Sequence, residues 1–79
     1  MSAKPAGGGF LKKIEIVPSG GRTAIVTAAN RLMASRAKHL VMQVQTKDMT
    51  MARTVMQKMG ITGTVKNMTG TKSSIVKAA

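Results

Sequence analysis

Ser19-Gly20-Gly21-Arg22-Thr23 is the stretch of this chain whose residue types best suit chemistry. It follows an apolar alternation ended by Pro18 and opens a helix-like segment. A helix N-terminus offers unpaired backbone N–H groups and the positive end of the helix dipole, which together hold a phosphate. Glycines let that backbone come close to an anion, and Arg22 adds a bidentate fork. An ordinary strand-to-helix turn capped by Ser19 or Thr23 would use the same residues. The charge of the whole chain tips the expectation toward phosphate. Neither nucleotide fingerprint is present: the loop does not match G-x-G-x-x-G, and Gly70-Thr71-Lys72-Ser73 has no Gly five places before its Lys.

Little else in the sequence can do acid–base or metal chemistry. The chain has no Cys, one histidine (His39) and only two carboxylates, Glu15 and Asp48. That set is too small for a zinc site or for most magnesium chemistry, so no catalytic residue, metal or cofactor is expected. Thirteen Lys and Arg give a formal net charge of +11, which predicts affinity for polyanions. With Phe10 the only aromatic, the stacking platforms that read single-stranded bases are missing. What remains is contact with the DNA or RNA backbone at low sequence specificity. The candidate residues are Lys12, Lys13, Gly20, Gly21, Arg22, Arg36, Lys38, Lys66 and Lys72. Gln43, Gln45, Asn67 and Thr hydroxyls are available for sugars or groove edges.

These groups need elements to position them. Residues 1–9 read as a flexible arm and 10–79 as one domain. Phe10 to Val17 alternates as a strand, with Phe10, Ile14 and Ile16 expected inside and Leu11, Lys13, Glu15 and Val17 on the other side. Ile25, Ala28, Ala29 and Leu32 recur at helical spacing between Thr23 and Ser35. His39 to Gln45 forms a second strand with Leu40, Met42 and Val44 inside. Thr46 or Asp48 then caps a second helix, whose stripe is Met49, Ala52, Val55, Met56 and Met59, with Gly60 as its stop. Ile61–Met68 and Ser73–Ala78 form a hairpin around Thr69–Lys72. The resulting order, β-α-β-α-β-β, predicts an α+β two-layer sandwich with two helices on one face of a four-stranded sheet.

A core this short is thin below about 80 residues, and here eight Met fill space that Leu or Phe usually takes. A homodimer through the second helix and the strand after it is therefore expected. Met1–Gly9 lacks the apolar run of a secretory leader, and no stretch approaches the ~20 apolar residues of a membrane span. Cytoplasmic association with nucleic acid follows, with no membrane and no small-molecule substrate as partner.

Residues 12–61, KKIEIVPSGGRTAIVTAANRLMASRAKHLVMQVQTKDMTMARTVMQKMGI, resemble the Alba family of small basic nucleic-acid-binding proteins. The resemblance implies strand, basic loop, helix, strand, short turn, helix and hairpin, in a homodimer that binds DNA or RNA largely without sequence preference. The chain departs from the family pattern in three places. Ser19-Gly20-Gly21-Arg22 carries one cation where the family has a Gly-Lys-Lys stretch, Thr46-Lys47 replaces a Gly before the second helix, and the hairpin over 61–79 is short. The C-terminal domain of bacterial translation initiation factor three is similar in element order. Two rival readings stand beside these. One is a packaging component of a phage or ribonucleoprotein assembly, which would carry the same charge. The other is an enzyme, because residues 51–67, MARTVMQKMGITGTVKN, look like a segment of the acylphosphatases in which Asn67 would position water. Gln45-Thr46-Lys47-Asp48 lacks the glycine-rich, arginine-bearing phosphate loop that this enzyme needs.

Overall fold

The computed structural model describes residues 12–78. The arm expected over 1–9, and the positions of Phe10 and Leu11, lie outside the described residues. Strand β1 (Lys12–Val17) is followed by α1 (Gly21–Ala34), β2 (His39–Val44), a short 3-10 turn (Thr46–Asp48), α2 (Met49–Lys58), β3 (Gly63–Asn67) and β4 (Ser73–Val76). The sheet runs β1-β2-β3-β4. The first three strands are parallel, and β4 returns antiparallel beside β3. This is the α+β arrangement of four strands and two helices that the sequence pattern implies.

Two parallel crossovers that step in the same direction, β1 to β2 and β2 to β3, leave both helices on one side when each is right-handed. The register agrees. Val17, Val44 and Asn67 lie in one row across the sheet, and Glu15, Met42, Val65 and Ser74 in the next. Val17, Met42, Val44, Val65 and Val76 pack with Ile25, Ala28, Ala29 and Leu32 of α1 and Ala52, Val55 and Met56 of α2 in one cluster. Each of the larger side chains there contributes about 1.5–3 kcal/mol by leaving water. The alternate residues of every strand point to a face that neither helix covers.

The periodic elements lie where the spacing puts them. Ile25, Ala28, Ala29 and Leu32 are the buried side of α1, and Gly60 ends α2 with φ 76°. The expected side-chain caps are not made. Gly20 occupies the N-cap position of α1 and Asp48 that of α2, and neither helix has a side-chain capping bond. The 3-10 turn replaces Thr46 as the entry to α2, through a bond from the Asp48 N–H to the Gln45 carbonyl.

Strand β1 faces the opposite way from its sequence expectation. Val17 is buried and belongs to the core, while Ile14 and Ile16 are 43% and 60% exposed on the bare face. A one-residue change of parity flips every side chain of a strand, and here it turns Val17 into the core together with Glu15. Its carboxylate lies toward the helices and pairs with Arg31 of α1 at 3.4 Å and with Lys13 at 3.3 Å. A carboxylate bracketed by two cations is tolerated under α1, and inward-pointing charges on an edge strand also deter edge-to-edge pairing. The methionine stripe on which the dimer expectation rests packs inward. Met56 and Ala52 are fully buried inside the protomer and Met49, Met51 and Met59 pack against the same cluster, so the stripe of α2 is core. β3 has both edges paired.

The parity of β1 has a direct consequence for stability. Val17→Ser should cost on the order of 2–4 kcal/mol, from lost packing plus a buried hydroxyl. Ile16→Ser should stay within about 0.5 kcal/mol, as exposed substitutions do. Urea unfolding of the two variants measures the difference.

Candidate nucleic-acid interface

The loops after β1, β2 and β3 all leave the C-terminal ends of parallel strands, so they share one end of the sheet. In open α/β sheets, ligands gather at this end where the strand order reverses and helices diverge to opposite faces. The order here never reverses within the parallel part, so no switch-point crevice forms. The loops make a rim instead. Each carries a cation: Arg22 after β1, Lys47 after β2 and Lys72 before β4, all exposed.

Amide side chains hold this rim together. Gln45 donates through Nε2 to the Pro18 carbonyl and ties the second loop to the first. Asn67, only 4% exposed, donates through Nδ2 to Thr46 Oγ1 at 3.2 Å and to Thr71 Oγ1 at 3.0 Å, and its Oδ1 accepts from the Lys72 N–H at 3.1 Å. Gln43 donates to the carbonyls of Asn67 and Met68, each at 3.1 Å. Among the described residues no buried side-chain polar atom lacks a partner. These amides therefore brace the loops against one another.

Gly20 and Gly21 answer to the backbone first. Their φ values are 105° and 61°, a region L-residues rarely enter. At Gly20 an added Cβ would lie 2.6 Å from the Ala24 Cβ, so the first turn of α1 closes down on it, whereas at Gly21 it would meet nothing within 4 Å. The backbone at Gly21 is therefore open to an approaching group. No acidic residue stands in the first turn of α1, which leaves its positive dipole end and Arg22 without a neutralising neighbour in that turn. The mouth of α2 differs, because Asp48 occupies its N-cap position.

The nine residues expected to bind are not gathered into one patch. Gly20, Gly21, Arg22 and Lys72 belong to the rim. Lys12, Arg36 and Lys38 stand at the opposite end, at the start of β1 and in the connection into β2. Lys66 shares a row with Ile16, Gln43 and Ser73 on the bare face. Lys13 points toward the helices, where Glu15 engages it. Among the described residues only Lys13 and Arg31 have an ion-pair partner, and they share it.

Two features of the surface were not anticipated from the sequence. Lys47 is the positional counterpart of Arg22 in the second strand–loop–helix unit, a relation visible in the repeated β-α order. The apolar content of the bare face is the other; the element order itself leaves that face available to a ligand or a second subunit. One row across it reads Ile14, Val41, Thr64, Ile75, with Lys12 and His39 in the row beyond. Ile75 is 72% exposed. A hollow of about 210 Å³ opens at its margin beside Lys38, His39, Thr62, Thr64 and Ile75.

Among the described residues there is no cluster of His, Cys, Asp or Glu able to hold a metal and no helix long and apolar enough to cross a membrane. No family model, curated protein or solved structure matches this chain.

The two glycines should separate in a stability measurement. Gly21→Ala should cost about 1 kcal/mol for its left-handed backbone. Gly20→Ala should cost clearly more, because strain and the collision with Ala24 add. Thermal unfolding of both variants checks the order.

Proposed function

We propose that this protein binds nucleic acid through the phosphate backbone, with little dependence on base sequence. The observation that carries this reading is the state of its charges. The net charge is +11, one of the two acids is consumed inside the fold by Lys13 and Arg31, and the other cations among the described residues have no carboxylate partner. Such a surface repels itself, and a polyanion relieves that repulsion while releasing its own condensed counterions. The resemblance of residues 12–61 to the Alba family supports the same reading.

The spread of the cations also supports low specificity. Phosphate contacts position a protein on nucleic acid and carry no sequence information themselves. A binder built to read bases concentrates a few side chains at one groove, whereas here basic residues stand on the rim, at the opposite end and on the bare face. Within this distribution the mouth of α1 is the best single phosphate contact. It combines Arg22, an unobstructed backbone at Gly21 and a helix end free of acids in its first turn.

Binding should weaken steeply with salt. Arg22→Ala and Lys72→Ala should each reduce the slope of log K against log salt by roughly 0.9 on duplex DNA, or about 0.7 on a single strand. Both residues are exposed, so the unfolding midpoint should not move. Fluorescence anisotropy with labelled oligonucleotides of two unrelated sequences measures slope and specificity together. Affinity that is indifferent to salt, or confined to one sequence, contradicts the reading.

A further inference from the structure

We infer that the bare sheet face is a seat for single-stranded nucleic acid, with bases lying against Ile14, Ile16 and Ile75 and phosphates drawn to Lys12 and Lys66; this rests on the nucleic-acid-binding reading and names its substrate class. Four strands bring these residues into rows. The row Ile14–Val41–Thr64–Ile75, with Val41 buried, Thr64 half-buried and the isoleucines exposed on the two edge strands, lies between a row holding Lys12 and His39 and a row holding Ile16, Gln43, Lys66 and Ser73. Glu15 lies on the other side of the sheet, under α1. Among its described residues the bare face therefore joins exposed branched apolar side chains to cations and carries no acid.

That combination selects its occupant. An anionic chain satisfies the cations, and exposed aromatic heterocycles satisfy the isoleucines, since unstacked bases pack on apolar as well as aromatic side chains. Duplex DNA offers the first without the second, because its bases are stacked inside. Nor can the face enter a groove to reach them. Three inter-strand gaps make it about 14 Å across before side chains are added, against a major groove of about 12 Å that admits a helix or a two-stranded ribbon. A second copy of this chain would cover the isoleucines only by bringing Lys12 and Lys66 near the same cations, on molecules each carrying +11. A lipid surface would bury Thr64 and Ser73 beside the isoleucines without partners, whereas base edges can pair with those hydroxyls. The hollow beside His39, Thr64 and Ile75 gives one splayed base a place at the margin.

The five isoleucines supply the test. Ile14, Ile16 and Ile75 lie on the bare face, while Ile25 and Ile61 are buried and act as internal controls. With isoleucine methyl groups labelled for NMR, oligothymidylate should shift the methyls of Ile14, Ile16 and Ile75 and leave Ile25 and Ile61 nearly unchanged. A duplex should not produce that pattern. The double variant Ile16→Ser, Ile75→Ser should lose roughly tenfold in affinity for oligothymidylate, with duplex affinity unchanged and the core methyl signals intact. Salt-dependent binding to both nucleic acids with no shift at the three exposed isoleucines overturns the inference and leaves backbone binding standing. Absence of binding to either overturns both. Shifts that grow with protein concentration alone assign the face to a second copy. Shifts produced by phosphatidylglycerol vesicles and not by oligothymidylate assign it to lipid. Either of these last two results also overturns the inference.

Discussion

Two successive crossovers in one direction are the constraint on which this molecule depends. They place α1 and α2 side by side on one face of the sheet and leave neither helix for the other. A two-layer domain of this size has one core, between helices and strands, and that core uses nearly all the fully buried side chains: Ile25, Leu32, Met42, Met56, Val44 and Val65. The methionines of α2 belong to it. Methionine fills the irregular space between α2 and the sheet where few large residues are supplied. The second face of every strand is then free to carry something other than packing, and in β1, β3 and β4 it carries isoleucines, threonine, serine and lysines.

The parity of β1 completes that surface. Val17 and Glu15 lie on the helix side, Glu15 paired with Arg31 and Lys13, and Ile14 and Ile16 face outward. The sequence makes the helices and the element order legible, because three- and four-residue spacing survives whatever a helix packs against. It does not make the parity of β1 legible. Two isoleucines alternate with charged residues while Val17 falls on the charged side, and the usual rule buries the isoleucines. The rule fails here because Val17 is the residue that meets the core cluster, beside Val44 in the register, and that meeting is a property of the fold. The apolar row of the bare face was hidden by the same misreading, since it forms only when four strands are in register.

The rim shows a similar division. Arg22 and the two glycines are visible as a local motif, and the structure adds that Gly20 is required by its contact with Ala24 while Gly21 is open. The amide network is invisible in the sequence, because Asn67 reaches Thr46 from a different strand-to-loop junction. Its effect is to hold three loops as one body. Cations on the rim are thus presented from a rigid support, which lowers the ordering entropy lost on binding. The remaining cations stand elsewhere, as the proposed backbone binding tolerates. Charge spread over several surfaces supplies attraction, and the bare face supplies the part of the surface where apolar contact is available.

The most direct measurement of this account uses the absence of cysteine from the chain. Single variants Ile16→Cys, Ile75→Cys and Val17→Cys each place one thiol at a known row of the sheet. Their reaction rates with a soluble maleimide, with and without saturating oligothymidylate, read parity and occupancy together. The thiols at 16 and 75 should react rapidly in the free protein and be protected by the oligonucleotide, while the thiol at 17 should be slow under both conditions. Rapid reaction at 17 in the folded protein, or rates at 16 and 75 unaffected by a bound oligonucleotide, would contradict the claim that the face left bare by the two crossovers is the face that binds.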